Sequence, residues 1–163
     1  EYPARIGKTA AWSLVVTPLH PKSTGCVRMV KSSADSIQID PAYLTHPDDW
    51  SELYASLVHA TSWVSNSPLL QDRQRWVLTK RLPDNEEAWR SLVASYAQSI
   101  YHPVGSCRMS EGKDGAVNSF LAVNGVDRLY VADASIMPAL PSGNTQAACM
   151  MIGYRLVDFL DGK

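Results

Sequence analysis

His102 lies in the stretch 101–109, YHPVGSCRM, and is followed by Pro103 and Gly105. Proline fixes one backbone angle and glycine frees another, so the imidazole is expected to be displayed from a rigid turn. An imidazole titrates near neutrality, and a general base is commonly held in this way. A second block, residues 131–145, VADASIMPALPSGNT, adds a carboxylate and an amide. The apolar run 129–132 reads as a buried strand that delivers Asp133 at its C-terminal edge. The chain then turns through Pro138, Pro141 and Gly143 to Asn144 and Thr145. Behind them Ala148, Met151, Ile152, Leu156 and Phe159 recur at helical spacing, which sets Asn144 at or next to a helix N-terminus. Open N–H groups there stabilise an anion, or a ring gaining negative charge.

The earlier part of the chain supplies elements to position these groups. Residues 12–17, 26–30 and 36–39 are short runs rich in Val and Ile between Gly, Pro and Ser turns. They predict antiparallel sheet, with a hairpin turn at 31–35. Thr45, Pro47 and Asp48 form a helix-start signature, backed by an apolar stripe of Trp50, Leu53, Tyr54, Leu57 and Val58. A second helix is expected to start near Asp84, with Glu87 behind it. Its stripe of Trp89, Leu92, Val93, Tyr96 and Ile100 would lead directly into the His102 motif. Residues 65–83 are mixed and charged without clear periodicity, and no repeats or low-complexity tracts occur.

Composition narrows the classes of function. A chain of 163 residues, 45% hydrophobic and of net charge −1, is large enough for one core. The charge balance argues against a nucleic-acid or anionic-membrane role. No run approaches the length of a membrane span, and the start at Glu1 shows no targeting pattern. The three cysteines, Cys26, Cys107 and Cys149, cannot all pair, and their spacing suits neither a disulfide framework nor a zinc knuckle. No metal site is read, and a reducing, cytoplasmic compartment is expected.

Plainer readings compete at each position. His20 and His46 each precede a proline, and His59 falls on a helix, so these three are read as ordinary polar residues. Asn before an apolar helix is commonly a cap, and capping is compatible with catalysis. Asp133 could equally start the turn after its strand. Cys107 is read as a small buried residue, and the Trp residues as core.

The ordered motifs YHPVGSCRM, LYVADASIMP and PSGNT, followed by a terminal helix, resemble the C-terminal portion of the glucose-methanol-choline (GMC) flavin oxidoreductases. The earlier segment HPKSTGCVRM, followed by QIDPAYLTHPDDW, is similar to that family's substrate-domain pattern, so the resemblance covers nearly the whole chain. It implies an α+β / α/β fragment. Residues 1–100 would be part of a substrate-binding domain, an antiparallel sheet with flanking helices. Residues 101–163 would carry the catalytic loop and the closing strand and helix of a Rossmann-like FAD domain, with the active site between the two parts. No GxGxxG turn occurs here, so most FAD contacts are expected from the N-terminal portion of the same protein.

By carry-over from the family, His102 would take the hydroxyl proton of an alcohol while a hydride passes to flavin N5. Asn144 matches the second catalytic position and would donate a hydrogen bond to the alcohol oxygen. Tyr101, Asp133, Ala134, Asn144 and Thr145 match positions near the cofactor. Asp133 would accept hydroxyl hydrogen bonds, Ala134 would offer its N–H, and the helix opening at Thr145 would favour an anionic reduced ring. The chain departs from the family pattern at Asn118-Ser119 and at Gln146-Ala147-Ala148, and no substrate is read from subfamily similarity. The leading expectation is an FAD-dependent alcohol oxidase or dehydrogenase, choline dehydrogenase-like, using a small alcohol and O2 or another electron acceptor. The alternatives are a hydroxynitrile-lyase-type enzyme on the same scaffold, or a non-catalytic module if the chain exists alone.

Overall fold

The computed structural model describes residues 13–30, 36–68, 82–112 and 114–162. The chain divides into two compact units, one made of Glu1–Pro18 with His46–Gln98 and the other of Leu19–Thr45 with Ser99–Lys163. The fold is a small α+β arrangement, with a two-stranded antiparallel sheet and three α-helices among the described residues.

The first unit holds α1, Pro47–Ser65, and α2, Glu86–Tyr96. Pro47 opens α1 where its missing N–H has no intrahelical partner to lose, and Asp48 and Asp49 complement the positive end of the helix. The cap is His46, within the expected helix-start signature: its Nδ1 accepts the Asp48 N–H at 3.2 Å. The Thr45 hydroxyl instead donates to the Ala42 carbonyl at 2.9 Å, so it belongs to the preceding turn. Asn85 caps α2, its Oδ1 accepting the Ala88 N–H at 2.9 Å, one residue beyond the predicted start.

Trp50, Leu53, Val64 and Trp89 are the buried apolar residues of this unit among the described residues. The Trp50 indole N–H donates to Glu86 Oε1 at 2.6 Å, which ties the start of α2 to the start of α1. Arg90 closes the arrangement, bonding the same carboxylate at 2.9 Å and lying 4.2 Å from the Trp50 ring centre. The Arg90 hydrogen bond, and then that of Trp50, hold the Glu86 carboxyl below the ordinary glutamate range. α2 ends at Tyr96, so Ile100 falls beyond it, exposed, and residues 97–100 separate the helix from the His102 motif.

The second unit begins with a hairpin of β1, Cys26–Met29, and β2, Ile37–Asp40, in the register Cys26↔Asp40 to Met29↔Ile37. The expected turn at 31–35, the first residue of the run 12–17, and 69–81 of the mixed stretch lie outside the described residues. Residues 13–17 form no strand.

The predicted strand at 129–132 is reduced to a single antiparallel bridge, Ala122↔Tyr130. Val123 N–H bonds Leu129 O at 2.9 Å and Val131 N–H bonds Leu121 O at 3.1 Å. Leu121 (φ 64°) and Arg128 (φ 59°) both take left-handed conformations, which break the extended geometry on either side and stop the ladder there. Leu129 is 49% exposed, so this run is not the buried strand its composition suggested.

Packing in the second unit centres on Val117, Leu121, Ile136, Met137 and Ile152. Val104 and Met109 from the His102 motif, Val131 to Ala134 from the second block, and Ala148, Leu156 and Phe159 from the last helix surround that centre, Asp133 excepted. One core therefore holds together the His102 motif, the second block and the helix that follows Thr145.

Candidate active site

The loop bearing His102 is shaped by two left-handed residues, Tyr101 (φ 63°) and Gly105 (φ 87°). Tyr101 is non-glycine in that region, and its N–H is held by Ser99 Oγ at 2.9 Å. Gly105 is needed twice over. Its φ disfavours an L side chain, and a Cβ there would sit 3.3 Å from the Met137 carbonyl oxygen. The loop is then tied to the second block by main-chain bonds from Cys107 N–H to Ser135 O at 2.9 Å and from Met109 N–H to Ile136 O at 2.8 Å. Cys107 is half-buried rather than buried, and it acts through its backbone. All three cysteines are free thiols.

Asp133 caps a short 3₁₀ turn, Ala134–Ile136, with Oδ1 accepting the Ser135 N–H at 2.8 Å. The Ser135 hydroxyl and then its N–H hold the Asp133 carboxyl below the ordinary aspartate range. Asp133 is thus an exposed anion at the mouth of the turn. The Ala134 N–H makes no hydrogen bond among the described residues.

The last helix, α3, runs Gln146–Leu160. Its cap position falls on Thr145, not Asn144, and Thr145 makes no side-chain bond to the helix. Asn144, exposed, stands just outside. The first intrahelical bond is Cys149 N–H to Thr145 O at 2.9 Å, so the N–H groups of Gln146, Ala147 and Ala148 precede it and have no hydrogen-bond acceptor among the described residues. The Thr145 hydroxyl lies 3.2 Å from His102 Nδ1 in a part-buried contact. That bond joins the two motifs across the site and brings the imidazole beside the residue that follows Asn144.

Tyr101, His102, Asp133, Ala134, Asn144 and Thr145 all fall in the second unit. One contact there was not legible in the sequence. Ser142 Oγ lies 2.8 Å from His20 Nε2, which pins the loop ahead of Asn144 to the segment leading into β1. Nothing in a histidine before a turn proline signals a partner so far along the chain. His46 is a helix cap, and His59 an exposed helical residue.

These residues match a known family. The profile described as GMC oxidoreductase matches residues 21–153, and the chain belongs to that family, as the C-terminal portion of its members. It is 29% identical over its whole length to an alcohol dehydrogenase [acceptor] of Pseudomonas putida, covering 30% of that protein. It is 32% identical to an oxygen-dependent choline dehydrogenase of Escherichia coli O157:H7, over 74% of this chain and 22% of that protein. Among solved structures, pyridoxine 4-oxidase from Mesorbium loti superposes with a TM-score of 0.79 at 29% identity, over 89% of this chain and 28% of that one. The chain thus spans less than a third of the length of the relatives it matches.

FAD is the cofactor of this family, and the residues present fit it. An exposed carboxylate at Asp133 suits sugar-type hydroxyls, the unbonded Ala134 N–H suits an anionic oxygen, and the open first turn of α3 suits a ring that gains negative charge.

Proposed function

We propose that the complete protein oxidises an alcohol to the corresponding carbonyl compound, with His102 as the base and Asn144 as the hydrogen-bond donor that aligns the alcohol oxygen. FAD, when bound, supplies the hydride acceptor. Asp133, Ala134 and the open end of α3 would hold it, with Tyr101 beside the ring. The chain's own work is proton transfer and alignment. With Nδ1 occupied by Thr145, the imidazole presents Nε2 for the hydroxyl proton. The Asn144 amide has no lone pair basic enough to compete at neutral pH, so it donates and His102 accepts.

The observation that carries this reading is the His102–Thr145 contact at 3.2 Å. It supports the reading because it sets the His102 ring against Thr145, the residue that follows Asn144 and precedes α3. The N-terminal portion expected to complete the site would belong to the same protein.

An anaerobic absorbance scan of the complete protein tests it, before and after addition of primary and aromatic alcohols. Bleaching of an oxidised-flavin spectrum is expected. Readmitted air would then separate oxidase from dehydrogenase by the speed of recovery. A flavin spectrum unchanged by every alcohol, with cyanohydrin cleavage present, would overturn the oxidation in favour of lyase chemistry.

A further inference from the structure

The geometry points to the Thr145 side chain as a positioning residue that fixes the tautomer of His102, accepting a hydrogen bond from Nδ1–H so that Nε2 keeps its lone pair. The inference rests on the reading of His102 as the base.

Thr145 stands where a threonine commonly turns its hydroxyl back onto the first turn of its own helix. Here it does not. Its backbone is helical (φ −75°, ψ −11°), no side-chain bond to α3 forms, and the hydroxyl faces His102 instead. Thr145 is 8% exposed, so water has little access to replace the contact. No other hydrogen bond of the imidazole exists among the described residues.

A neutral imidazole carries its proton on one nitrogen and is an acceptor at the other. Were the Thr145 O–H to donate to Nδ1, the proton would sit on Nε2, and that nitrogen could take nothing from an alcohol. With Nδ1–H donating to Thr145 Oγ1, Nε2 is free to accept. After Nε2 has taken the proton, Nδ1–H still donates to the same oxygen. The bond therefore survives the transfer and the ring need not turn. A threonine oxygen has two lone pairs and tolerates the neutral ring and the imidazolium alike. An orienting partner on the far nitrogen of a base is a general device for holding one tautomer.

The test uses the complete, flavin-loaded protein labelled with ¹⁵N-histidine, as wild type, Thr145→Val and Thr145→Ser. Thr145→Val keeps the shape and removes the acceptor, while Thr145→Ser keeps the acceptor. Ring ¹⁵N shifts assigned by His102→Gln are expected to show protonated Nδ1 in the neutral state of wild type and Thr145→Ser, and loss of that single tautomer in Thr145→Val. Flavin reduction in Thr145→Val should fall about tenfold or more with little change in KM, the size of one lost hydrogen bond, and return to within a few-fold in Thr145→Ser. Protonated Nε2 in the wild type, or an unchanged tautomer in Thr145→Val, would overturn the inference. If the Thr145→Val protein fails to fold, the wild-type and Thr145→Ser spectra still decide it. Normal flavin reduction in His102→Ala would instead sink the base assignment, leaving the tautomer result to stand as structure alone.

Discussion

Asp133 and Cys107 are linked through a single residue. Asp133 Oδ1 accepts the Ser135 N–H at 2.8 Å, and the Ser135 carbonyl accepts the Cys107 N–H at 2.9 Å. The Asp133 carboxylate thereby steadies the loop that displays His102. The structural role of Asp133 and the cofactor-binding role proposed for it are separable by substitution.

Asp133→Ala should lower the stability of the complete protein by about 1 kcal/mol, the usual loss for a removed cap, and weaken FAD retention. Asp133→Asn keeps an acceptor oxygen and should recover most of the stability but not the pH dependence. The Asp133 carboxyl is held below its ordinary range by the Ser135 hydroxyl and then the Ser135 N–H. The folded group is therefore the stronger acid. Its contribution is full above the unfolded value of about 4 and is lost as pH falls through the folded value. Melting curves recorded on either side of about pH 4 should show wild type losing an increment that Asp133→Asn never had. Parallel curves for the two proteins would refute this.

Gly105→Ala should destabilise by about 1–3 kcal/mol, because a left-handed φ is unfavourable for alanine and the new Cβ meets the Met137 carbonyl at 3.3 Å. Thermal melting of the complete protein measures the loss. The same strain acts close to His102, so flavin reduction should slow even at temperatures where the variant is folded.

How much of this was visible in the chain depends on whether local physics decided it. The helices were legible because Trp50 and Leu53, Trp89, and Ile152 sit on stripes that tertiary packing then buries. The hairpin was legible from its Val and Ile runs. The cap at His46 was not, because an imidazole nitrogen is a rarer cap than the threonine beside it. The strand at 129–132 failed because the composition of Leu129 to Ala132 says nothing about left-handed residues at Leu121 and Arg128, which limit pairing. The candidate site was legible as motifs but not as contacts. Neither the Thr145–His102 bond nor the Ser142–His20 bond follows from spacing, since each joins segments that meet only in the folded unit.

His102→Ala should reduce the rate of flavin reduction by alcohol on the order of 10²–10⁴-fold, the usual contribution of a general base. Stopped-flow absorbance under anaerobic conditions reads it directly, with the flavin content of the variant unchanged. Near-normal reduction would remove His102 from the reaction.

Asn144→Ala distinguishes alignment from capping, and the structure makes the two outcomes different. The cap position is Thr145, so the loss of the Asn144 side chain leaves α3 as it was. Melting temperature should hardly move. A hydrogen bond to an oxygen that gains charge is worth about 1.5–3 kcal/mol, so reduction should slow on the order of 10–10²-fold with FAD still bound. Asn144→His would test the amide more sharply. An imidazole can also donate at this position, and it should restore part of the rate where alanine does not. Loss of FAD from Asn144→Ala with an unchanged rate per bound flavin would show that the residue serves cofactor retention.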